Sequence, residues 1–163
     1  MEWNKTLLLA LKTVILLFTA LWPLSVSGSN CAFVQNSDQR HLCEAKESKN
    51  SLKCSFIVNS DMRNYCMAVV KKKKSDCQLI FNGDLRYKCN AEIAQKRSNC
   101  SLINNSDQRN LCYAKVKKSQ SQCGFIKNSD IRSYCYAVIT HVSSRCSFIK
   151  DADLRNICYS EIR

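Results

Sequence analysis

Glycine and proline are scarce in this sequence, which has 3 glycines and 1 proline among 163 residues. Collagen needs glycine at every third position, and flexible linkers and most disordered chains are rich in both residues, so these classes are excluded. After residue 28 only Gly83 and Gly124 remain, too few for a glycine-rich loop that binds phosphate. Tryptophan is also lacking there, because Trp3 and Trp22 both lie near the start.

Long apolar runs are lacking after residue 28, and the one run before it, residues 13–24, is too short to span a bilayer comfortably. Small residues follow it, and Val26 and Gly28 fit the positions that signal peptidase recognises, with cleavage before Ser29. We therefore predict a secretory signal peptide over residues 1–28. The alternative is an N-terminal membrane anchor, because residues 7–24 could tilt into a bilayer.

The cysteines do not form the short patterns that hold metals or haem. The sequence has no C-x2-C pair and no C-x-x-C-H motif, so we predict no metal site and no other cofactor. Twelve cysteines in an exported chain indicate a disulfide framework instead. We expect the mature protein, residues 29–163, in an extracellular or periplasmic compartment.

The cysteine spacing defines a repeat. Successive steps alternate between 12 and 11 residues without exception, which gives six copies of a 23-residue unit starting at residues 31, 54, 77, 100, 123 and 146. The predicted disulfide residues are Cys31, Cys43, Cys54, Cys66, Cys77, Cys89, Cys100, Cys112, Cys123, Cys135, Cys146 and Cys158. Pairing within each copy uses all twelve, whereas the shifted register strands Cys31 and Cys158 unless the array closes on itself. Parity therefore favours the first pattern.

Each copy carries an aspartate at position 8 and an arginine at position 10, counting its first cysteine as position 1. Because they are two residues apart on a helix, they do not face each other. We expect the aspartate to cap a helix or to act as a first-turn acid, and the arginine to reach an aspartate or carbonyl of the neighbouring copy. This predicts a structural ion ladder of Asp38, Arg40, Asp61, Arg63, Asp84, Arg86, Asp107, Arg109, Asp130, Arg132, Asp153 and Arg155. A repeated ligand site that uses the arginines is the alternative.

Copies three apart resemble each other more closely than neighbours do. SDQRHLCEAK in copy 1 corresponds to SDQRNLCYAK in copy 4, so a 69-residue block of three copies was duplicated. Two interpretations remain open: shared ancestry alone, or a structural period of three copies in which each position has its own neighbours.

Caps and periodicity predict two helices per copy. Asn-Ser-Asp supplies an N-cap and a first-turn acid, which begins a helix over about positions 8 to 18, and a shorter helix surrounds the first cysteine. The fold class is therefore an all-α, disulfide-stapled helical-repeat solenoid of six 23-residue two-helix units. Its architecture resembles Sel1-like and tetratricopeptide solenoids, but their signature residues are missing, so no functional residue is carried over.

No catalytic constellation stands out. His41 and His141 occupy different repeat positions, and no Ser-His-Asp or Cys-His set recurs, so we do not expect an enzyme. The tyrosines lie close to the second cysteine of each copy, where we expect most of them to pack beside the disulfide. We expect a non-catalytic binding or structural module whose partner is another protein or a surface polymer. End-to-end self-association is a further possibility, because the last copy has no evident cap.

Basic residues concentrate in the polar segment that follows each second cysteine. The chain has 25 Lys and Arg against 13 Asp and Glu, and stacking should align the excess into a basic ridge. Such a ridge suits an anionic polysaccharide, nucleic acid or membrane surface, as in an antimicrobial or host-directed effector; the alternative is a solvated edge that maintains solubility. The candidate binding residues are Lys71, Lys72, Lys73, Lys74, Lys96, Arg97, Lys115, Lys117 and Lys118.

Overall fold

The structure, a computed structural model, describes residues 29–162, so the predicted signal peptide lies outside the described residues. Within them each copy forms a short helix followed by a long one, and there are no strands. The long helices are α1 (Ser37–Ser48), α2 (Ser60–Lys71), α3 (Gly83–Ala94), α4 (Ser106–Lys117), α5 (Ser129–Thr140) and α6 (Ala152–Glu161). The short helices are Asn30–Phe33, Ser51–Phe56, Lys74–Cys77, Arg97–Cys100, Gln120–Phe125 and Ser143–Phe148. The predicted disulfide-stapled helical repeat is confirmed.

The long helices begin and end as their sequences require. At the start of α2 the Asn59 side chain accepts a hydrogen bond from the backbone N–H of Met62 at 2.9 Å, and an asparagine or aspartate caps each other long helix in the same way. At the end of α2, Lys72 adopts a left-handed conformation with φ 53°, and the backbone N–H of Lys73 returns to the carbonyl of Ala68 at 3.0 Å. This is a Schellman motif built without glycine.

The core of each copy lies between its short helix and its long helix. All six disulfides join the two cysteines of one copy, which is the predicted register. In copy 2 the disulfide Cys54–Cys66 packs with Ile57, of which only 1% is exposed, and with Ala45 from the long helix of copy 1. Position 3, by contrast, points outward: Phe56 beside this core is 66% exposed. A small core of this kind depends on its crosslink and on its neighbours.

The aspartate that recurs at position 8 joins each copy to the next one. Both carboxylate oxygens of Asp61 accept hydrogen bonds from copy 3, one from the backbone N–H of Phe81 and one from that of Asn82, each at 2.8 Å. The arginine stays within its own copy, where Arg63 donates to the carbonyl of Ile57 at 3.0 Å. The predicted ladder therefore consists of hydrogen bonds from aspartate to the backbone of the next copy, and the arginines do not reach the neighbouring copy. The side chain at position 10 points back to the residues just before its own long helix, whereas positions 8 and 11 face the next copy.

The six copies close into a ring. Asp153 of copy 6 accepts hydrogen bonds from the backbone N–H groups of Gln35 and Asn36 in copy 1, at 2.6 and 2.9 Å, as each other aspartate does with its following copy. The Asn156 amide also donates to the carbonyl of Phe33 at 3.1 Å, and α6 packs against α1. Copy 1 thus covers the face of copy 6 that lies at the end of the array.

The long helices lie side by side and point the same way. The aspartate in the first turn of one helix reaches the residues just before the next helix, so the helix starts are level. Lys46 near the end of α1 pairs with Glu161 at the end of α6, so the ends are level too. We call the two sides of the ring the N-face, where the long helices begin, and the C-face, where they end.

Two further properties bear on location. None of the helices within residues 29–162 is long and apolar enough to cross a membrane. Six intramolecular disulfides, with no free cysteine in that part of the chain, indicate an oxidising environment.

Candidate functional site

The ring surrounds a central cavity of about 780 Å³ that is lined by side chains from all six copies. Positions 9, 12 and 16 of each copy share one helix face, because they are three and four residues apart. In chain order, position 9 holds Gln39, Met62, Leu85, Gln108, Ile131 and Leu154. Position 12 holds Leu42, Tyr65, Lys88, Leu111, Tyr134 and Ile157, and position 16 holds Lys46, Val69, Glu92, Lys115, Val138 and Glu161.

These three positions form layers from the N-face to the C-face. The layer nearest the N-face is apolar in four of its six residues, and glutamine supplies the other two. The layer nearest the C-face has four charged residues and two valines. The middle layer contains both kinds of side chain. The cavity therefore has an apolar end and a charged end.

Glu161 is the centre of a cluster near the C-face. Its carboxylate forms ion pairs with Lys46, across the closing interface, and with Lys115 from α4 at 3.6 Å. The hydroxyl of Tyr134 donates to the same carboxylate at 2.6 Å, and the ammonium of Lys115 donates to that hydroxyl at 2.9 Å. Residues from four copies thus meet in the ring interior, which ties distant parts of the chain together.

A second, smaller cluster surrounds Glu92. The hydroxyl of Tyr65 donates to its carboxylate at 2.5 Å. Lys88, one turn earlier in α3, lies over the ring of Tyr65, with its nitrogen 5.3 Å from the ring centre. No carboxylate in residues 29–162 lies within 4.0 Å of that nitrogen, so Lys88 lacks a close ion-pair partner.

Burial and these contacts shift the protonation equilibria in different directions. Burial by itself would raise the pKa of Glu161, but Lys115 and Lys46 outweigh it and hold that pKa well below its ordinary value. Burial raises the pKa of Tyr134, and the neighbouring Glu161 raises it further, so the hydroxyl keeps its proton. Burial also lowers the pKa of Lys88, and the attraction of Glu92 only partly offsets this effect.

The structure divides the predicted basic residues between two environments. Lys71, Lys74, Lys96 and Lys117 follow or end long helices and are exposed near the C-face, as are Lys72, Lys73, Arg97 and Lys118. Lys115 does not belong with them: it occupies position 16 and lies in the cavity, where it pairs with Glu161. The sequence alone is misleading here, because Lys115 and Lys117 are only two residues apart but point to different sides of α4.

The exposed cations have a structural reason to lie where they do. Six parallel helices end at the C-face, and the carbonyl end of each helix carries partial negative charge. Lysines in the last turn, such as Lys71 and Lys117, compensate that charge. On the N-face the aspartates at position 8 do the same for the amide ends. The charge pattern thus follows from the parallel arrangement of the helices.

Sequence reasoning assigned no function to Tyr65, Lys88, Glu92, Tyr134 or Glu161. The sequence did contain a signal for them. Position 16 reads Lys, Val, Glu and then Lys, Val, Glu again, whereas positions 1, 8, 10 and 13 hold the same residue type in every copy. Positions that vary within a block but recur between blocks indicate a surface with its own chemistry. In the ring, copies three apart lie opposite each other, which favours the interpretation of the 69-residue block as a structural period.

In the part of the chain that the structure describes, no group of three or more histidine, cysteine, aspartate or glutamate side chains is placed to hold a metal ion. Comparisons of the chain with protein-family models, curated proteins and solved structures find no match.

Proposed function

We propose that this chain is an exported, non-catalytic binding protein that takes a small ligand into the central cavity of its ring. The observation that carries the proposal is the contrast between scaffold and lining. The cysteines, the aspartates at position 8 and the arginines at position 10 are the same in every copy, whereas the residues that face the cavity differ from copy to copy. Stability alone would be served by the same apolar lining in all six copies.

The size and chemistry of the cavity support a small-molecule ligand. A volume of about 780 Å³ falls within the range of roughly 300–1,000 Å³ that is typical of such sites. Apolar side chains such as Leu85, Leu111 and Leu154 can bury the apolar part of a ligand. A few polar groups, among them Lys88 and the tyrosine hydroxyls, can fix its orientation. This mixture is typical of ligand pockets.

The lining supports binding better than catalysis. The carboxylate of Glu161 is held ionised by two lysines, and that of Glu92 accepts a hydrogen bond from Tyr65. The hydroxyls of Tyr65 and Tyr134 have pKa values raised by burial, so they are poor nucleophiles and poor bases. A general base needs a pKa near the working pH, and none of these groups approaches it.

The proposal can be tested with the neutral fluorescent probe N-phenyl-1-naphthylamine and oxidised protein of residues 29–163. We expect saturable binding with one probe per chain. A Leu154→Trp variant fills the cavity near the N-face and should abolish binding. Phe148→Trp is the matched control, because Phe148 is 71% exposed on the outside of the same copy and should leave binding unchanged.

The proposal fails if neither this probe nor dodecanoate binds with saturation. It also fails if Leu154→Trp and Phe148→Trp weaken probe binding equally while both variants retain the circular dichroism of the parent protein. The second result would place the bound probe on the outer surface of the ring.

A second candidate function is the binding of an anionic polymer or membrane to the C-face. The exposed run Lys71, Lys72, Lys73 and Lys74 supports it, because only Lys73 lies near a carboxylate, Asp76 at 3.7 Å. Concentrated positive charge on one face attracts polyanions in a salt-dependent manner. The compensation of helix ends described above accounts for only part of this charge.

Charge removal on opposite faces tests this second candidate. Lys71→Ser with Lys74→Ser removes two charges from the C-face, and Lys127→Ser with Lys150→Ser removes two exposed charges from the N-face. We expect heparin binding to weaken, and its salt dependence to flatten, in the first variant only. Equal effects in both variants would indicate attraction by net charge alone.

A further inference from the structure

At positions 9, 12 and 16, which we call the inner positions, copies three apart carry residues of the same kind except at Lys88. Three copies away, Ile157 occupies the corresponding position. The remaining inner positions match in kind: Gln39 with Gln108, Met62 with Ile131, Leu85 with Leu154, Leu42 with Leu111, Tyr65 with Tyr134, Lys46 with Lys115, Val69 with Val138 and Glu92 with Glu161.

This single difference places an ammonium group in the interior that has no ion-pair partner within 4.0 Å among residues 29–162. Positions 12 and 16 together hold three lysines and two glutamates. Glu161 is paired with Lys46 and Lys115, whereas Glu92 accepts from Tyr65 and attracts Lys88 without coming within ion-pair distance of it. The charged residues Glu47, Lys49 and Asp151 also border the cavity, but they are exposed at its mouths. An ammonium surrounded by protein without a close counter-ion is costly unless an anion joins it.

The surroundings of Lys88 limit what that anion can be. Leu85 lies one turn away on the N-face side of the same helix, and Met62, Ile131 and Leu154 complete an apolar layer there. On the C-face side, Glu92 would repel a head group of high negative charge. A single negative charge is enough to pair with Lys88 and is repelled less by Glu92, which favours a carboxylate over a dianionic phosphate.

We propose that the cavity binds a single-chain amphiphile whose carboxylate head pairs with the Lys88 ammonium and whose hydrocarbon tail extends toward the N-face among Leu85, Ile131 and Leu154. This inference rests on the proposed function and names its ligand class. The carboxylate supplies the counter-ion that Lys88 lacks, and the tail covers apolar surface that otherwise borders water.

Four probes and two variants test this assignment by isothermal titration calorimetry at pH 7. The probes are dodecanoate, dodecanol, dodecylammonium and dodecyl phosphate, each kept below the concentration at which it forms micelles. Lys88→Ile copies the residue that copy 6 already carries, and Lys150→Ile removes an exposed lysine outside the cavity. Thermal unfolding of each variant shows that it is folded, and Lys88→Met is the substitute if Lys88→Ile is not.

We expect one dodecanoate per chain and little binding of dodecylammonium. Lys88→Ile should weaken dodecanoate binding by about tenfold or more, because it removes a charge-assisted pair. The same change should leave dodecanol binding within about twofold, since the tail contacts remain. Lys150→Ile should leave every affinity unchanged.

Three kinds of result would overturn the assignment. They differ in whether the cavity remains a ligand site. If Lys88→Ile leaves dodecanoate binding unchanged, or dodecanol binds as tightly as dodecanoate, the head-group assignment is wrong while the cavity remains a ligand site. If dodecyl phosphate binds more tightly than dodecanoate in a Lys88-dependent manner, the ligand class is wrong. If no amphiphile and no naphthylamine probe binds, the proposed function fails as well.

Discussion

The carboxylate of Asp153, in the last copy of the repeat, accepts a hydrogen bond from the backbone N–H of Asn36, in the first copy, at 2.9 Å. The same bond joins Asp84 to Asn105 inside the array, at 3.0 Å. The closing interface is therefore built like the internal ones. Because the first and last copies meet in this way, every copy has two neighbours.

Ring closure predicts that Asp153→Ala destabilises the protein as much as Asp84→Ala does. Each change removes a charged acceptor from two backbone N–H groups, so we expect a loss of about 1–2 kcal/mol in the free energy of unfolding. Urea unfolding of the two oxidised variants measures it. If Asp84→Ala destabilises the protein and Asp153→Ala does not, the ring is open in solution.

The repeat, its helices and its disulfides could be predicted because they depend on local information. Spacing gives the period, and Asn59 and its equivalents mark where helices start. The presence of two cysteines in every copy favours pairing within copies. Each of these inferences needs only residues that are close in sequence.

Closure could not be predicted, because it depends on the rotation between neighbouring copies, which must add up to a full turn over six of them. That rotation is set by packing between long helices and by the contact of Asp61 with Phe81 and Asn82. The role of Lys115 was missed for the same reason: before the curvature is known, the inner side of the stack cannot be told from the outer side.

Substitutions at two adjacent residues of copy 6 should have very different effects on the free energy of unfolding. Ile149 is 1% exposed and Phe148 is 71% exposed. We expect Ile149→Ala to cost about 3 kcal/mol because it leaves a cavity in the core, and Phe148→Ser to change stability by less than about 0.5 kcal/mol. Chemical unfolding of both variants checks this. A large loss in Phe148→Ser would mean that this aromatic ring is covered in solution.

Glycine at the end of α2 should stabilise the protein. Lys72 has φ 53°, a conformation that costs a residue with a side chain about 1 kcal/mol and costs glycine little. Lys72→Gly should therefore raise the free energy of unfolding by up to that amount. Lys71→Gly is the control, because it removes the same charge from the last helical residue and should destabilise by about 0.5 kcal/mol. Stabilisation by both variants would point to relief of charge repulsion instead.

The cluster around Glu161 should make stability depend on pH in the acid range. The pKa of this carboxyl is held well below its ordinary value of 4.5, because Lys115 and Lys46 outweigh the effect of burial. A lowered pKa means that the stabilisation is fully present above about pH 4.5 and is lost as the pH falls toward the folded-state value. The carboxylates of Glu92, Asp38, Asp84 and Asp107 have lowered pKa values too, so only part of the acid dependence comes from Glu161.

Glu161→Gln isolates that part. At pH 7 the variant should be less stable by about 2 kcal/mol, because Lys46 and Lys115 lose their counter-ion; the loss is smaller than for a fully buried pair, since the Lys46 side chain is 37% exposed. As the pH falls from 4.5 toward 2, the parent protein should lose this advantage and the two unfolding free energies should converge. Urea titrations at several pH values measure the gap. A gap that stays constant would mean that Glu161 contributes through packing and through the Tyr134 hydrogen bond, and not through its charge.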